Sequence, residues 1–124
     1  MEVPILKQGH YLIASIQSAL TDEDLLQLRG NLMEKVSKFR IRGVIIDVSA
    51  LDVLDSFACR ILRATAQMTA LRGAQTVVVG IQPDVAFAMT QLGLSLKGVT
   101  TMLDLEEGLA LLDSQTKGGG DRGG

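Results

Sequence analysis

The chain has 124 residues, which suits one domain and leaves no room for a second core. Its 12 Lys and Arg residues against 14 Asp and Glu residues give a net charge of −2, so no broad basic surface is available for nucleic acid, and an aromatic content of 3% offers few base-stacking platforms. The single cysteine excludes an internal disulfide, the first residues lack a signal-peptide pattern, and no apolar run reaches the roughly 20 residues that span a bilayer. We therefore expect a free-standing cytoplasmic domain with an aliphatic core.

The first 40 residues predict a β-hairpin followed by a helix. Val3 to Leu6 is typical of a strand, and Tyr11 to Ile16 returns after a tight turn, so the two strands are expected to pair antiparallel. Thr21 and Asp24 form a capping-box pattern in its weaker aspartate form. Apolar residues then recur at helical spacing, which predicts a helix from Asp22 to about Phe39.

A buried strand, a short acidic loop and a second helix follow one another in the middle of the chain. Val44 to Asp47 begins with an unbroken β-branched run, a pattern typical of a parallel strand that is covered on both faces. The loop is expected over Val48 to Leu54. Asp55 is a good N-cap because its carboxylate can accept a hydrogen bond from a first-turn amide, so the helix is predicted to begin at Ser56.

The second helix, predicted from Ser56 to about Arg72, carries three stripes at about 100° per residue. The stripe that we expect to face the sheet consists of Phe57, Ile61, Ala64, Met68 and Leu71. A polar edge consists of Ser56, Arg60, Arg63 and Gln67. A third set, mostly small and apolar, consists of Ala58, Cys59, Leu62, Ala66 and Ala70. The third set exceeds what one core face needs, which fits either another packing surface or a helix buried more deeply than usual.

The remainder of the chain predicts two more strands and two more helices. Thr76 to Val79 is a second β-branched run, expected to lie parallel and adjacent to the first through a right-handed crossover. Asp84 to Leu92 predicts a short helix after a proline, with Phe87 packed inward. Val99 to Leu103 predicts the last strand, and Asp104 begins a final helix that should end near Leu112.

The predicted fold class is therefore α/β, with a single domain built on a mixed β-sheet and flanking helices. Residues 1–113 form this domain. Residues 114–124 are predicted to be a flexible, glycine-rich tail, because the tail from Lys117 onward has no apolar residue to offset its ordering entropy.

Ser56 is the residue whose position first suggests a function. The start of a helix gathers unpaired amides and partial positive charge, which suits an anionic group such as a phosphate. In open α/β sheets, ligands and partners also act beyond the carboxyl ends of the strands. The alternative is a second capping residue, and spacing alone favours that structural role.

Five segments of the chain resemble STAS domains, the sulfate-transporter and anti-sigma-factor-antagonist family. They are Ile46-Asp47-Val48-Ser49, Val53-Leu54-Asp55-Ser56-Phe57, Pro4-Ile5-Leu6-Lys7, Ala14-Ser15-Ile16-Gln17 and Gly80-Ile81-Gln82-Pro83. The resemblance covers about Val3 to Leu112 and is strongest to the single-domain members found in bacterial stressosomes. It implies a STAS-type fold, with Ser56 as the phosphate acceptor of a switch kinase.

The resemblance also implies partners and a switch region. The kinase would be a GHKL-fold serine kinase of the RsbT type, which the unphosphorylated protein sequesters and the phosphorylated protein releases. Co-assembly with RsbR-type STAS proteins into a large stressosome is implied as well, together with self-association. The residues assigned to partner binding and switching are Asp47, Asp52, Asp55, Arg60 and Arg63.

Other functions find less support in the sequence. A nucleophilic Ser56 would need a nearby base, whereas the only histidine, His10, lies in a distant turn and no G-x-S-x-G elbow is present. Asp47, Asp52 and Asp55 cluster in sequence, but one is a helix cap and one ends a strand, so we expect no metal and no cofactor. A small-molecule or lipid sensor stays open as an alternative, and it would require a pocket.

Overall fold

The computed structural model describes the backbone of residues 2–123 and the side chains of residues 2–115. In this part of the chain, strands and helices alternate after an initial hairpin. The elements are β1 (Ile5–Gln8), β2 (Tyr11–Ser15), α1 (Asp22–Phe39), β3 (Gly43–Asp47), α2 (Ser56–Ala70), β4 (Gln75–Val79), α3 (Pro83–Gln91), β5 (Thr100–Met102) and α4 (Leu105–Gly123).

The strands form one mixed sheet in the order β1-β2-β3-β4-β5. β1 pairs antiparallel with β2, and every later pair is parallel. At the centre of the sheet, Ile45 lies opposite Ile13 on one side and Val77 on the other. The prediction of an α/β fold with an antiparallel first strand and two adjacent central strands is confirmed.

The sheet divides the hydrophobic core into two layers because successive side chains of a strand point to opposite faces. Val44, Ile46 and Val78 pack with α1, α2 and α3 on one face. Ile45, Val77 and Val79 pack on the other face, where α4 contributes the buried Leu112. β3 and β4 are therefore covered on both sides, which explains their unbroken β-branched sequences.

The buried face of α2 differs from the predicted stripe. Of that stripe, Ile61 is buried, whereas Met68 is 37% exposed and Leu71, the C-cap, is 87% exposed. The face that packs into the core consists of Ala58, Cys59, Ile61, Leu62, Thr65, Ala66 and Thr69. Four of the five residues of the third set are thus buried, so the helix is buried more deeply than usual.

Two threonines allow this face to be buried because their hydroxyls are hydrogen-bonded. Thr65 Oγ1 donates to Ile61 O at 2.7 Å. Thr69 Oγ1 donates to Ala66 O at 3.1 Å and lies 2.7 Å from Thr76 Oγ1 on β4. Buried hydroxyls with such partners avoid most of the cost of desolvation, so a wheel that counts threonine as polar misplaces the core face.

The Thr69–Thr76 pair predicts a non-additive effect on stability. Thr69→Val would leave the Thr76 hydroxyl buried without its partner, which should lower the free energy of unfolding by about 1–3 kcal/mol. Replacing both threonines by valine removes both polar groups and should cost less than the sum of the two single substitutions. Urea denaturation of the three variants measures this coupling, and strictly additive losses would contradict it.

Two further expectations are wrong. α4 extends to Gly123 rather than ending near Leu112, and residues 113–117, which contain neither glycine nor proline, carry it past the predicted end. The flexible tail predicted over residues 114–124 stays a prediction, because the side chains from residue 116 onward lie outside the described residues. Phe87 is 66% exposed, because α3 buries Val85 and Met89 and Phe87 lies about 200° from Val85 around the helix.

Candidate functional site

The loop between β3 and α2 lies at the carboxyl end of the central strand. Val48 N donates to Val79 O at 3.0 Å, so the loop leaves the sheet only after one further bond to β4. Leu51 and Leu54 are buried and fix the loop to the core, whereas Asp52 is exposed and Val53 is 65% exposed. The loop therefore presents an acidic and an apolar side chain to solvent on a fixed backbone.

Two side chains hold the start of this loop in place. Asp47 Oδ1 accepts a hydrogen bond from Ser49 N at 2.9 Å, and Gln82 Nε2 donates to Ser49 O at 2.8 Å. Gly80 lies directly against Ser49, and a Cβ built at Gly80 would be 2.7 Å from the Ser49 Cβ. The β4–α3 turn thus supports the loop that leads to α2.

Asp55 caps α2 and leaves Ser56 free. Asp55 has extended backbone angles, and its Oδ1 accepts a hydrogen bond from Ala58 N at 2.8 Å. Ser56 is the first helical residue and is exposed, and its hydroxyl makes no hydrogen bond to another described residue. Because Asp55 supplies the cap hydrogen bond, α2 does not need Ser56 as a capping residue.

The two arginines of the predicted switch region occupy different surroundings. Arg60 lies one turn after Ser56, and its guanidinium carbon is 5.9 Å from the centre of the Phe57 ring. Arg63 is partly buried, and its Nη1 donates to Ser95 O at 2.7 Å, which ties α2 to the segment before β5. Arg60 can therefore reach a group on Ser56, whereas Arg63 acts as a structural tie.

A narrow apolar crevice lies beside the loop. Its lining includes Leu20 and Leu25 on one side and Val53, Leu54 and Ala58 on the other, and its volume is about 40 Å³. Ligand pockets usually measure about 300–1,000 Å³. The crevice is too small for a metabolite or a lipid chain, although a single apolar side chain of a partner can enter it.

Cys59 is a buried residue with a weakly acidic thiol. It is 1% exposed, and burial raises the pKa of the thiol above its ordinary value; Arg63 opposes this increase and Asp55 adds to it. A raised pKa lowers the fraction of reactive thiolate at neutral pH.

We therefore expect slow labelling of Cys59 in the folded protein. At pH 7.5 a soluble disulfide reagent should modify the native thiol far more slowly than the same thiol in about 6 M urea, because burial and a low thiolate fraction act together. Absorbance of the released thiol measures the rate. Rapid stoichiometric labelling without urea would contradict a structural role.

Metal, nucleophilic and membrane-spanning roles receive no geometric support from the described residues. No group of three His, Cys, Asp or Glu side chains among them could hold a metal ion. His10 immediately precedes β2 at the amino end of the parallel strands, whereas Ser56 follows the carboxyl end of β3. None of the helices in the described part has the length and apolar character that a membrane span needs.

Sequence reasoning missed the roles of Gln82 and Gly80 in this site. Both belong to the segment Gly80-Ile81-Gln82-Pro83, which carried part of the family resemblance without a stated function. Gln82 is far from Ser49 in sequence, so only the fold brings the two together. The available signal was Gly80, a glycine shortly before a helix that begins with proline, since glycine often marks a place where another segment comes close.

Comparison with known proteins gives consistent similarities. The family model of the STAS domain matches residues 2–108. RsbS from Moorella thermoacetica, in a variant with one serine-to-glutamate substitution, has 35% identity and a TM-score of 0.79 over 93% of this chain and 97% of its own. A chain of the structure that describes the molecular architecture of the stressosome has 36% identity and a TM-score of 0.74 over 91% and 98% of the two chains.

A curated relative comes from Bacillus subtilis. The RsbT co-antagonist protein RsbRA is 26% identical over 97 residues, which is 78% of this chain. The chain spans about a third of the length of that relative, 35% of it. The similarity therefore concerns one portion of the longer protein.

Proposed function

Because this chain belongs to the STAS domain family, we propose that it is a cytoplasmic, non-catalytic regulator of stress signalling that binds an RsbT-type serine kinase and releases that kinase when Ser56 is phosphorylated. Its similarity to RsbS extends over nearly the whole of both chains and supports this assignment. The relative RsbRA is described as a co-antagonist of RsbT, which makes an RsbT-type kinase the natural partner.

The observation that carries the proposal is the free hydroxyl of Ser56. A kinase must bring an acceptor hydroxyl to its own ATP, so the hydroxyl has to be exposed and must not stabilise the fold. Ser56 meets both conditions, because it lies at the surface and Asp55 supplies the cap of α2. Conversion of this hydroxyl to a phosphate ester therefore leaves the cap of α2 in place.

Phosphorylation changes the surface around Ser56 more than its fold. A phosphate adds about −1.5 to −2 charges at neutral pH, beside the exposed carboxylates of Asp52 and Asp55. The start of α2 and the guanidinium of Arg60 can accommodate this charge locally. Release of the kinase then follows from added charge and bulk at the contact surface.

The exposed part of the loop supplies the contact surface for the kinase. Val53 is 65% exposed and lies close to Ser56, so it can be buried by a partner. Asp52 and Arg60 add charged groups around it. Similarity to a stressosome chain further supports assembly with RsbR-type STAS proteins and with copies of this chain.

The proposal is tested by incubating the purified chain with the RsbT-type kinase of its host. Without ATP, size-exclusion chromatography should show a complex of the two proteins. With Mg²⁺ and ATP, peptide mass spectrometry should place one phosphate on Ser56, and the complex should dissociate. Phosphate on another residue alone, or a complex that survives full phosphorylation of Ser56, would refute the proposal.

A further inference from the structure

A polar cavity of about 540 Å³, open to solvent, lies at the opposite end of the central strands from Ser56. It is bordered by the end of α1, the segment that enters β3, the turn between α2 and β4, and residues Leu112 and Gln115 of α4. These elements meet at the amino ends of β3 and β4, whereas Ser56 follows the carboxyl end of β3. The cavity is therefore separate from the candidate phosphorylation site.

Three arginines line this cavity from three different segments. Arg40 is the C-cap of α1, Arg42 precedes β3, and Arg72 follows the C-cap of α2. No described lining residue carries a carboxylate. None of the three arginines forms an ion pair with a described acidic side chain, and among the described residues only Arg72 gives its guanidinium a hydrogen-bond partner, from Nη1 to Ser37 Oγ at 3.0 Å.

The helix ends around the cavity account for only part of this positive charge. α1 and α2 both end here, and each helix C-terminus carries roughly half a negative charge, which favours a nearby cation. Three guanidinium groups against two such ends leave a surplus of roughly two positive charges. This surplus is notable in a chain with a net charge of −2.

The backbone beneath the arginines is fixed by the sheet. Arg42 N donates to His10 O at 2.7 Å, and Gln75 N donates to Arg42 O at 3.0 Å. The backbone of Arg42 is thus held between the residue before β2 and the start of β4, which fixes the point from which its exposed side chain extends. The cavity offers charged donors on a rigid base.

We propose that this cavity binds a small ligand that carries phosphate groups. A guanidinium presents a planar fork of N–H donors that matches phosphate oxygens, and it stays charged at every physiological pH. Three forks around a concave space suit a compact oligoanion better than the flat surface of an acidic protein. A volume of about 540 Å³ lies within the usual range of small-molecule sites, about 300–1,000 Å³.

Calorimetric titration of the full chain at about 50 mM salt tests the proposal, with inorganic pyrophosphate, ATP and adenosine as probes. Pyrophosphate and ATP should bind saturably, and adenosine should not. Arg42→Gln and Arg72→Gln should each weaken binding about tenfold, because each removes a charge-assisted contact. Arg42→Lys should give an intermediate loss, since it keeps the charge but not the fork.

Arg29→Gln is the matched control. It removes one guanidinium from α1 at roughly 16 Å along the helix from Arg40, so phosphate binding should change by less than about twofold. Inorganic tripolyphosphate is the matched probe for ATP because both carry three phosphates: tighter binding of ATP than of tripolyphosphate would add a contact with the nucleoside, and equal binding would assign recognition to phosphate alone. Absence of saturable binding, equal binding of adenosine, preference for a polyglutamate peptide, or insensitivity to both Gln variants would overturn the proposal.

Discussion

We expect Ser56→Ala to bind the RsbT-type kinase as the wild type does and to hold it in the presence of ATP. The substitution removes the acceptor hydroxyl and keeps the Asp55 cap of α2, so the free energy of unfolding should change by no more than about 0.5 kcal/mol. A pull-down of the kinase with and without ATP measures the effect. Release of the kinase from Ser56→Ala by ATP would place the switch elsewhere.

Two companion variants separate the steps of this switch. Ser56→Asp adds about one negative charge, less than a phosphate, so it should weaken kinase binding without ATP but not abolish it. Ser49→Ala is the matched control, because it removes another exposed hydroxyl from the same loop while its backbone bonds to Asp47 and Gln82 are kept. It should bind and release the kinase like the wild type.

The strands and the first helix could be predicted from sequence because their signals are local. The β-branched runs of β3 and β4 reflect burial on both faces, and Thr21 with Asp24 forms the capping box that starts α1. The buried face of α2 could not be predicted in the same way. Its threonines are buried because of hydrogen bonds to Ile61, Ala66 and β4, and these depend on the folded backbone.

In the candidate site too, some features follow from the sequence and others only from the fold. Asp55 and Ser56 are neighbours, so their position at a helix start follows from sequence, but only the structure assigns the cap bond to Asp55. The contact of Gln82 with Ser49 spans 33 residues. The cavity at the amino ends of β3 and β4 was missed because its arginines come from three segments that no sequence pattern connects.

Gly80 is the residue at which substitution should damage both the fold and the candidate site. Its φ of +82° strains any residue with a Cβ, and a Cβ there would lie 2.7 Å from Ser49 Cβ and 3.1 Å from Ser49 Cα. The backbone of Ser49 would have to move, against its bonds to Asp47 and Gln82. We expect Gly80→Ala to lower the free energy of unfolding by about 3 kcal/mol and Tm by about 10 °C.

Gly73→Ala separates the two causes of this loss. Gly73 has the same φ of +82°, but a Cβ built there meets no atom within 4 Å. Gly73→Ala should therefore lower the free energy of unfolding by about 1 kcal/mol, through backbone strain alone, and should keep the wild-type rate of Ser56 phosphorylation. Gly80→Ala should be phosphorylated at a changed rate even well below its Tm, because the loop before α2 is displaced. Calorimetry and a kinase assay at 20 °C compare the two variants, and equal losses of stability would show that contact with Ser49 is not what requires glycine at position 80.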